Sequence, residues 1–578
     1  MAIGGLSFAC RTNLTFRPPR PLFLRTHDVR LNFVVAFEML SDAKTLNNKS
    51  SNPQGKLASF YGGIGGRSET KMPKWKKLSS KDLGITTSMI PKPTRVVLNG
   101  LKRKGYQVYL VGGCVRDLIL KQTPKDFDII TSAELKQVKD TFSQCGIIGR
   151  RFPICHVHVN KTIVEVSSFS TQSAKFERDS VFDFGKKPDC DEQDYIRWRD
   201  SSRRDFTING LMFDPYASVV YDYMGGLEDI KKAKVRTVVP ASMSFREDCG
   251  DTMSHLSYHQ MVVLVNCIEF SSLSHACTKA RMLRAIRIAA RLGFRFPRET
   301  AHAIKHLSCS LLRLDKNRLL MEVNYMLAYG SAEASLRLLW KFGLLEVLLP
   351  IQAAYFVSLG FQRRDKGTNM LLCLFSNLDK LLTPDKPCDS SLWVAILAFH
   401  KALLDQPRDP LTVAAFCLSV HNGGDLREAI SIAQSISRPH DARFQELSHP
   451  HDMDSRALIC EVMDLFESVK GALGMLTDEQ YVSQAMAGYS KAPYSDLNSS
   501  PEYKLQVFIN FGLYLRVCQI FKSIGEGKEK RFEAKQGSKI DYEMLALGGL
   551  REVRHVFARV VFDTVYPLNL YQELSSTG

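Results

Sequence analysis

Residues 109–131, YLVGGCVRDLILKQTPKDFDIIT, decide the fold. They read as a short apolar strand, a glycine pair at its exit, a helix start carrying Arg116 and Asp117, and a second strand bearing Asp126 and Asp128. Side chains alternate faces along a strand, so Asp126 and Asp128 point one way while Phe127 and Ile129 point into a core. Two carboxylates on one face repel each other unless a cation neutralises them, and oxygen donors of this kind suit a divalent ion. Gly112 and Gly113 lack a Cβ, which lets backbone N–H groups approach a phosphate, and the helix start behind them adds its positive dipole. Metal-binding carboxylates beside a phosphate-cradling turn make half of a nucleotidyl-transfer site.

The totals agree with such chemistry. The chain has 578 residues, 45% of them hydrophobic, enough for roughly two to four domains with ordinary cores. Lys and Arg number 77 against 60 Asp and Glu, and the resulting +17 charge points to a polyanionic partner. The 14 cysteines are scattered, without a CxxC pair or Cys/His spacing for zinc, and read mostly as buried free thiols of a reducing compartment. No apolar run is long enough to span a bilayer, so no membrane partner is expected.

GGCVRD followed by KDFD resembles the signature of the class II nucleotidyltransferases, the bacterial-type poly(A) polymerases and CCA-adding tRNA nucleotidyltransferases. The nearest likeness is to poly(A) polymerase-like proteins of plant organelles. The resemblance covers residues 90–350 and implies an α+β fold, a polymerase-β-type nucleotidyltransferase head followed by an all-α neck and body that binds RNA. It implies Mg²⁺ or Mn²⁺ on Asp126 and Asp128, with Gly112, Gly113 and Arg116 positioning the triphosphate of ATP. A P-loop enzyme is disfavoured because no GK[ST] follows the glycines.

Residues 1–40 carry no acid before Asp28 but hold Arg11, Arg17, Arg20 and Arg25, a composition that fits either an organelle transit peptide, for chloroplast or mitochondrion, or a disordered basic tail. Residues 41–90 are rich in Ser, Asn, Gly and Lys and read as a flexible linker, with a KWKK stretch at 74–77. The head is then expected over 91–245. Val97, Leu98 and Leu101 place a short helix over 94–104, residues 135–142 look helical, and KTIVEVSSF at 161–169 reads as a strand. Glu165 in that strand faces away from Val164 and Val166, and the resemblance implies that it is the third metal carboxylate. The string IIGRRFPICHV, residues 147–157, resembles poly(A) polymerases more than CCA-adding enzymes through Arg150, Arg151 and His156. SRRDFTINGLMFDP, residues 202–215, matches the family's second signature. It implies Arg204 at the triphosphate, Asp205 accepting from the ribose 2′-hydroxyl and Asn209 supporting the pocket. Gly225 and Gly226 match a further turn that ends the catalytic sheet.

The family's EDxxR helix, whose Asp and Arg read a nucleobase edge, is split here. Glu247, Asp248 and Cys249 are in place, but the pattern resumes only at Ala280 with ARMLRAIRIAARLGF. Removing residues 250–279 restores it without a gap, so 30 residues with one Lys, no Arg and three His read as an insertion within one helix. A helix advances about 1.5 Å per residue, so the insertion must loop out or end the helix, and Asp248 and Arg281 then need not face one base. Arg281, Arg284, Arg287, Arg291 and Arg295 fall on one helical face of about 120°, opposite Leu283, Ile286 and Ala290. That face is either a grip for the triphosphate or primer, with Arg281 and Arg284 at the nucleotide, or a solvated basic surface.

Three-to-four residue apolar spacing predicts helices over 310–327 and 334–350, completing a neck at 246–350. Residues 351–578 continue as helices without a nameable motif, and the Lys-rich stretch within 521–539 reads as an RNA-binding arm or a linker. The expected activity is template-independent transfer of AMP from a ribonucleoside triphosphate to an RNA 3′ end. A CCA-adding enzyme is the alternative within the family, and an RNA-binding isoform impaired by the insertion is the alternative outside catalysis.

Overall fold

The computed structural model describes residues 75–149, 153–160, 162–170, 190–245, 280–485 and 509–568. Pro73–Lys535 with Ile540–Gly578 form one compact unit, and Met1–Met72 with Gln536–Lys539 form another, of which only the last four residues are described. The expected transit peptide, Arg150, Arg151, Asp248 and the insertion at 250–279 lie outside the described residues.

The head contains, in order, β1 (Lys76–Ser79), α1 (Lys92–Arg103), β2 (Val108–Val111), α2 (Gly113–Ile119), β3 (Asp128–Thr131), α3 (Leu135–Thr141), β4 (Cys145–Ile148), β5 (Ile154–Val159) and β6 (Thr162–Ser168). It continues with α4 (Glu192–Ser202), β7 (Leu211–Asp214), β8 (Val219–Asp222), α5 (Gly226–Lys231) and α6 (Ala241–Phe245). The strands form one sheet in the order β1-β8-β7-β2-β3-β6-β5-β4. Every neighbouring pair is antiparallel except β3 and β6. That parallel pair requires a long crossover, supplied by α3 and the β4–β5 hairpin.

The expected linker at 41–90 is corrected from Lys76 onward. Lys76–Ser79 pairs with Val219–Asp222, so the KWKK stretch runs into an edge strand rather than a tether. Four residues with two lysines carry no readable alternation, and the pairing is dictated by β8. The predicted helix at 94–104 is α1, whose Thr94, Val97, Leu98 and Leu101 are buried against β2, β5 and β6.

The neck includes α7 (Ala280–Leu292), α8 (Arg298–His306), α9 (Lys316–Leu327) and α10 (Ala332–Phe342). Helix α7 buries Met282, Leu283, Ala285, Ile286 and Ala289, packing on α9 and α10. The apolar stripe opposite the arginines therefore forms as its spacing predicts. Arg295 does not belong to that helical face. It lies beyond Gly293 in an extended bridge to Lys234, where its N–H donates to Ala233 and its carbonyl accepts from Val235.

Among the described residues beyond the neck the regular elements are helices, as expected, and aromatic rings meet in their core. The Phe399 ring centroid is 5.7 Å from Phe416 and 5.6 Å from Phe557, and Phe521 lies 5.2 Å from Phe557. The Lys-rich segment is tied down in part, by Lys528 to Asp425 and Lys535 to Glu552. No helix among the described residues is long and apolar enough to cross a membrane.

Candidate active site

Strand β2 runs into Gly112, whose φ of 80° and ψ of −142° lie in a region that residues with a Cβ avoid. The space beside it is occupied as well. A Cβ at Gly112 would sit 3.2 Å from Arg204 Nη1 and 3.6 Å from Asp128 Oδ2. The turn is thus flanked by a guanidinium and a carboxylate brought from two distant segments. Asp128 is held there because it opens β3 opposite Val111 of β2. Arg204 is held from behind: its Nε and Nη2 donate to Asp200 Oδ2 at 3.1 and 3.0 Å, four residues back in α4. Burial opposes the Arg204 charge, but Asp200, Asp128 and Asp205 together outweigh it and its pKa rises.

A chain of charged hydrogen bonds runs behind this turn. Buried Arg116 donates from Nη1 to Asn209 Oδ1 at 2.6 Å and from Nε to Asp117 Oδ1 at 2.8 Å. Asn209 Nδ2 donates to Asp205 Oδ1 at 3.0 Å. Asp205 Oδ1 also accepts from the Phe206 N–H, and Arg284 Nε lies 2.6 Å from its Oδ2. Burial alone would raise the Asp205 pKa, but Arg284, Asn209, the Phe206 N–H and Arg281 together lower it. Asp117, likewise buried, receives Arg291 Nη2 at 2.8 Å on its other oxygen. The carboxylate expected at a ribose therefore faces the neck, with capacity for a further donor on Oδ2.

Two arginines of the α7 stripe clamp the neck to the head, Arg284 through Asp205 and Arg291 through Asp117. Arg287 instead turns to α9, with Nε 3.6 Å from Glu322 and its guanidinium 4.9 Å from the Tyr325 ring. All three positions are thus ion-paired, Arg287 and Arg291 mostly buried and Arg284 still partly exposed. Asp117, Asp200 and Glu322 have no site role in the sequence reading, and Arg291 enters it only as part of the basic face of α7. Asp200 had a signal, the i,i+4 spacing to Arg204 at a helix end. Asp117 and Arg291 are 174 positions apart and no local pattern joins them.

The three carboxylates are placed unequally. Asp126 is exposed and precedes β3 rather than lying on it, so strand alternation does not set its direction. Glu165 stands one residue before Val166, which pairs with Ile129, and thus shares the face of Asp128. It is 52% exposed, and His156 Nε2 lies 3.5 Å from its Oε1. Among the described residues no three His, Cys, Asp or Glu side chains converge tightly enough to hold a metal ion. Burial, then the charge of Glu165 and, more weakly, of Asp126 push the Asp128 carboxyl up to about 6, with Arg204 and Arg284 opposing. A carboxyl raised by burial and by two nearby carboxylates fits a hard divalent cation, which would remove that repulsion.

The second signature is seated by the glycine turn. A Cβ at Gly226 would come 2.3 Å from the Thr207 carbonyl, so the backbone there can approach only as glycine. Buried Asp222 accepts from the N–H groups of Met224, Gly226 and Leu227, and Asp229 accepts from Thr207 Oγ1 at 2.6 Å.

Residues 108–236 match the family described as "Poly A polymerase head domain", and residues 293–356 match "Probable RNA and SrmB- binding site of polymerase A". Poly(A) polymerase I of Haemophilus influenzae is 30% identical over 268 residues, covering 45% of this chain and 52% of that protein. Poly(A) polymerase I of Escherichia coli O157:H7 is 32% identical over 279 residues, covering 46% and 51%. The CCA-adding enzyme of Geobacillus stearothermophilus is 30% identical over 249 residues, covering 43% and 52%. The chain spans about half the length of the curated relatives it matches. Over residues 108–236 and 293–356 the chain is therefore similar to the poly(A) polymerases and CCA-adding enzymes of the class II nucleotidyltransferase family.

Proposed function

We propose that this chain transfers AMP from ATP to an RNA 3′-hydroxyl without a template, releasing pyrophosphate. The observation that supports this reading most is the apposition of Arg204 and Asp128 across Gly112. A bare backbone turn, a cation for phosphate and an acid for metal stand there within one contact distance.

In this reading Gly112 and Gly113 leave room for the triphosphate, and Arg204, prevented from swinging away by Asp200, meets its charge. Arg116 acts from behind, holding Asn209 and through it Asp205. Asp205 offers the free acceptor capacity of Oδ2 to a ribose hydroxyl, sharing that oxygen with Arg284. Asp128, Asp126 and Glu165 would hold Mg²⁺ or Mn²⁺, which when bound supplies Lewis-acid stabilisation of the transferring phosphoryl group. Asp126 and Glu165 would have to draw in toward Asp128 for this. Arg281 and Arg284 bring positive charge to the same rim from the neck, and Asp248 is assigned with Arg281 to the base by family resemblance alone.

CCA addition to tRNA is the second reading, supported by the 30% identity to the Geobacillus stearothermophilus enzyme over the same region. The IIGRRFPICHV string, by its resemblance to poly(A) polymerases, weighs for AMP transfer. Labelled ATP and CTP, offered separately with Mg²⁺ to oligoadenylate and to a tRNA lacking its 3′ end, distinguish the two. ATP-only extension of oligoadenylate is expected; CTP incorporation on the tRNA would transfer the assignment to the second reading. The same assay with residues 250–279 deleted tests the insertion, and extension by the deleted form alone would mark the full chain as an impaired isoform.

A further inference from the structure

Asp128 and Asp126 are two residues apart, yet different forces place them. The β2–β3 ladder fixes Asp128, while Asp126 lies outside it on an exposed approach segment. Its chain neighbour Lys125 is what reaches another element. The Lys125 ammonium lies 5.0 Å from the Tyr329 ring centroid and 5.7 Å from that of Tyr325, inside the range of cation–π attraction. The two ring centroids are 5.0 Å apart with the planes tilted by 52°, Tyr325 in the last turn of α9 and Tyr329 just beyond it, so that the ammonium meets both rings. Tyr325 is itself held, since the Arg287 guanidinium sits 4.9 Å from its ring and pairs with buried Glu322.

We infer that Tyr325 and Tyr329 are positioning residues for Asp126, acting through the Lys125 ammonium that their rings hold. The neck, within the matched RNA-binding region, thereby sets the geometry of one metal-binding carboxylate of the head. An ammonium against two aromatic faces suits this task. It restrains the backbone next to Asp126 without placing a donor on the carboxylate itself, which stays open for a cation. The inference rests on the assignment of Asp126 to metal in the proposed function.

The test is a Mn²⁺ titration of the full chain by electron paramagnetic resonance, alongside AMP incorporation at rising Mn²⁺. Replacing both rings, Tyr325→Leu with Tyr329→Leu, should weaken Mn²⁺ binding about tenfold, the loss expected of two cation–π contacts. The pair Tyr325→Phe with Tyr329→Phe keeps both ring faces and should bind within about twofold of wild type. Lys125→Gln leaves the core untouched and should reproduce the Leu pair, so the idea stays testable if that pair folds poorly. Excess Mn²⁺ should bring incorporation by Lys125→Gln back to near the wild-type rate, as for a defect in binding rather than in chemistry. Wild-type Mn²⁺ affinity in both the Leu pair and Lys125→Gln would overturn the inference, and so would a wild-type chain that binds no Mn²⁺. A wild-type chain that binds Mn²⁺ but incorporates no nucleotide would overturn the proposed function alone, and the variants would still decide the positioning role.

Discussion

The head and the helical body treat buried charge in opposite ways. In the body, charges are closed on themselves: Arg554 donates to the Ile520 and Gln519 carbonyls and to Glu529, and Glu446 accepts from Tyr355 beside His400. His421 and His555 face each other at 3.3 Å, and burial, then His421, Lys535 and Arg559, push His555 down to about 3, so it is neutral at pH 7. In the head, Asp128 is pushed up to about 6 by burial and by other carboxylates, and its nearby arginines only partly compensate. Burial pushes Asp379 of the body up as well, to about 7, but its oxygens accept from the Ala332 and Glu333 N–H groups. Asp128 is instead raised further by Glu165 and Asp126, like charges that a cation would neutralise. The difference lies in what faces the buried acid, backbone donors in the body and other carboxylates in the head.

The comparison can be broken most severely at the head's own acids. Asp126→Ala should lower nucleotide incorporation by roughly a thousandfold while the far-UV circular dichroism stays that of wild type. Active Asp126→Ala protein would remove the site assignment. The next largest effect concerns the joint between head and neck. Asp117→Ala leaves buried Arg116 with one fewer carboxylate and releases Arg291, which should cost about 3–5 kcal/mol in urea unfolding. A cost below about 1 kcal/mol would mean that this contact behaves as a surface ion pair.

Acid sharpens the contrast from the body's side. The folded His555 pKa is depressed, so below about pH 6.5 the unfolded chain takes up a proton that the folded chain refuses. Stability should therefore fall as pH drops from about 6.5 toward 4, by up to about 1.4 kcal/mol per pH unit from this group. His555→Phe should flatten that part of the profile, as read by chemical denaturation at pH 7 and pH 5. The smallest effect is expected at Arg284, which is 45% exposed at the side chain. Arg284→Ala should change the KM for ATP by roughly threefold to tenfold and stability by less than about 1 kcal/mol.

Much of the head was legible because its chemistry restricts residue type. Gly112 cannot carry a Cβ, Asp128 must be an acid at the end of a ladder, and Arg116, Arg204, Asp205 and Asn209 are brought together by two signatures. What remained hidden was set by distant partners. Strand β1 exists because β8 offers an edge. Asp117 and Arg291 meet only after the neck has folded on the head. Asp126 seemed to share a strand face with Asp128, but pairing begins at Asp128, and alternation says nothing of a residue outside the ladder. The helical period of the arginines was correct through Arg291 and failed at Arg295, where Gly293 turns the chain. In the body apolar spacing gave the helices, but the His421–His555 contact joins residues 134 positions apart and leaves no local trace.

The most direct test is the melting temperature of wild type and Asp128→Asn at pH 7, each with and without Mn²⁺. The Asp128 pKa lies above its ordinary value, so its stability contribution is intact below about pH 4 and is lost as pH rises through about 6. Asn carries no charge, and metal-free Asp128→Asn should be more stable than wild type by up to about 3 kcal/mol. Mn²⁺ should raise the wild-type melting temperature and leave that of Asp128→Asn unchanged. A metal-free variant less stable than wild type, or equal stabilisation of both by Mn²⁺, would contradict the account that Asp128 is a strained acid kept for a cation.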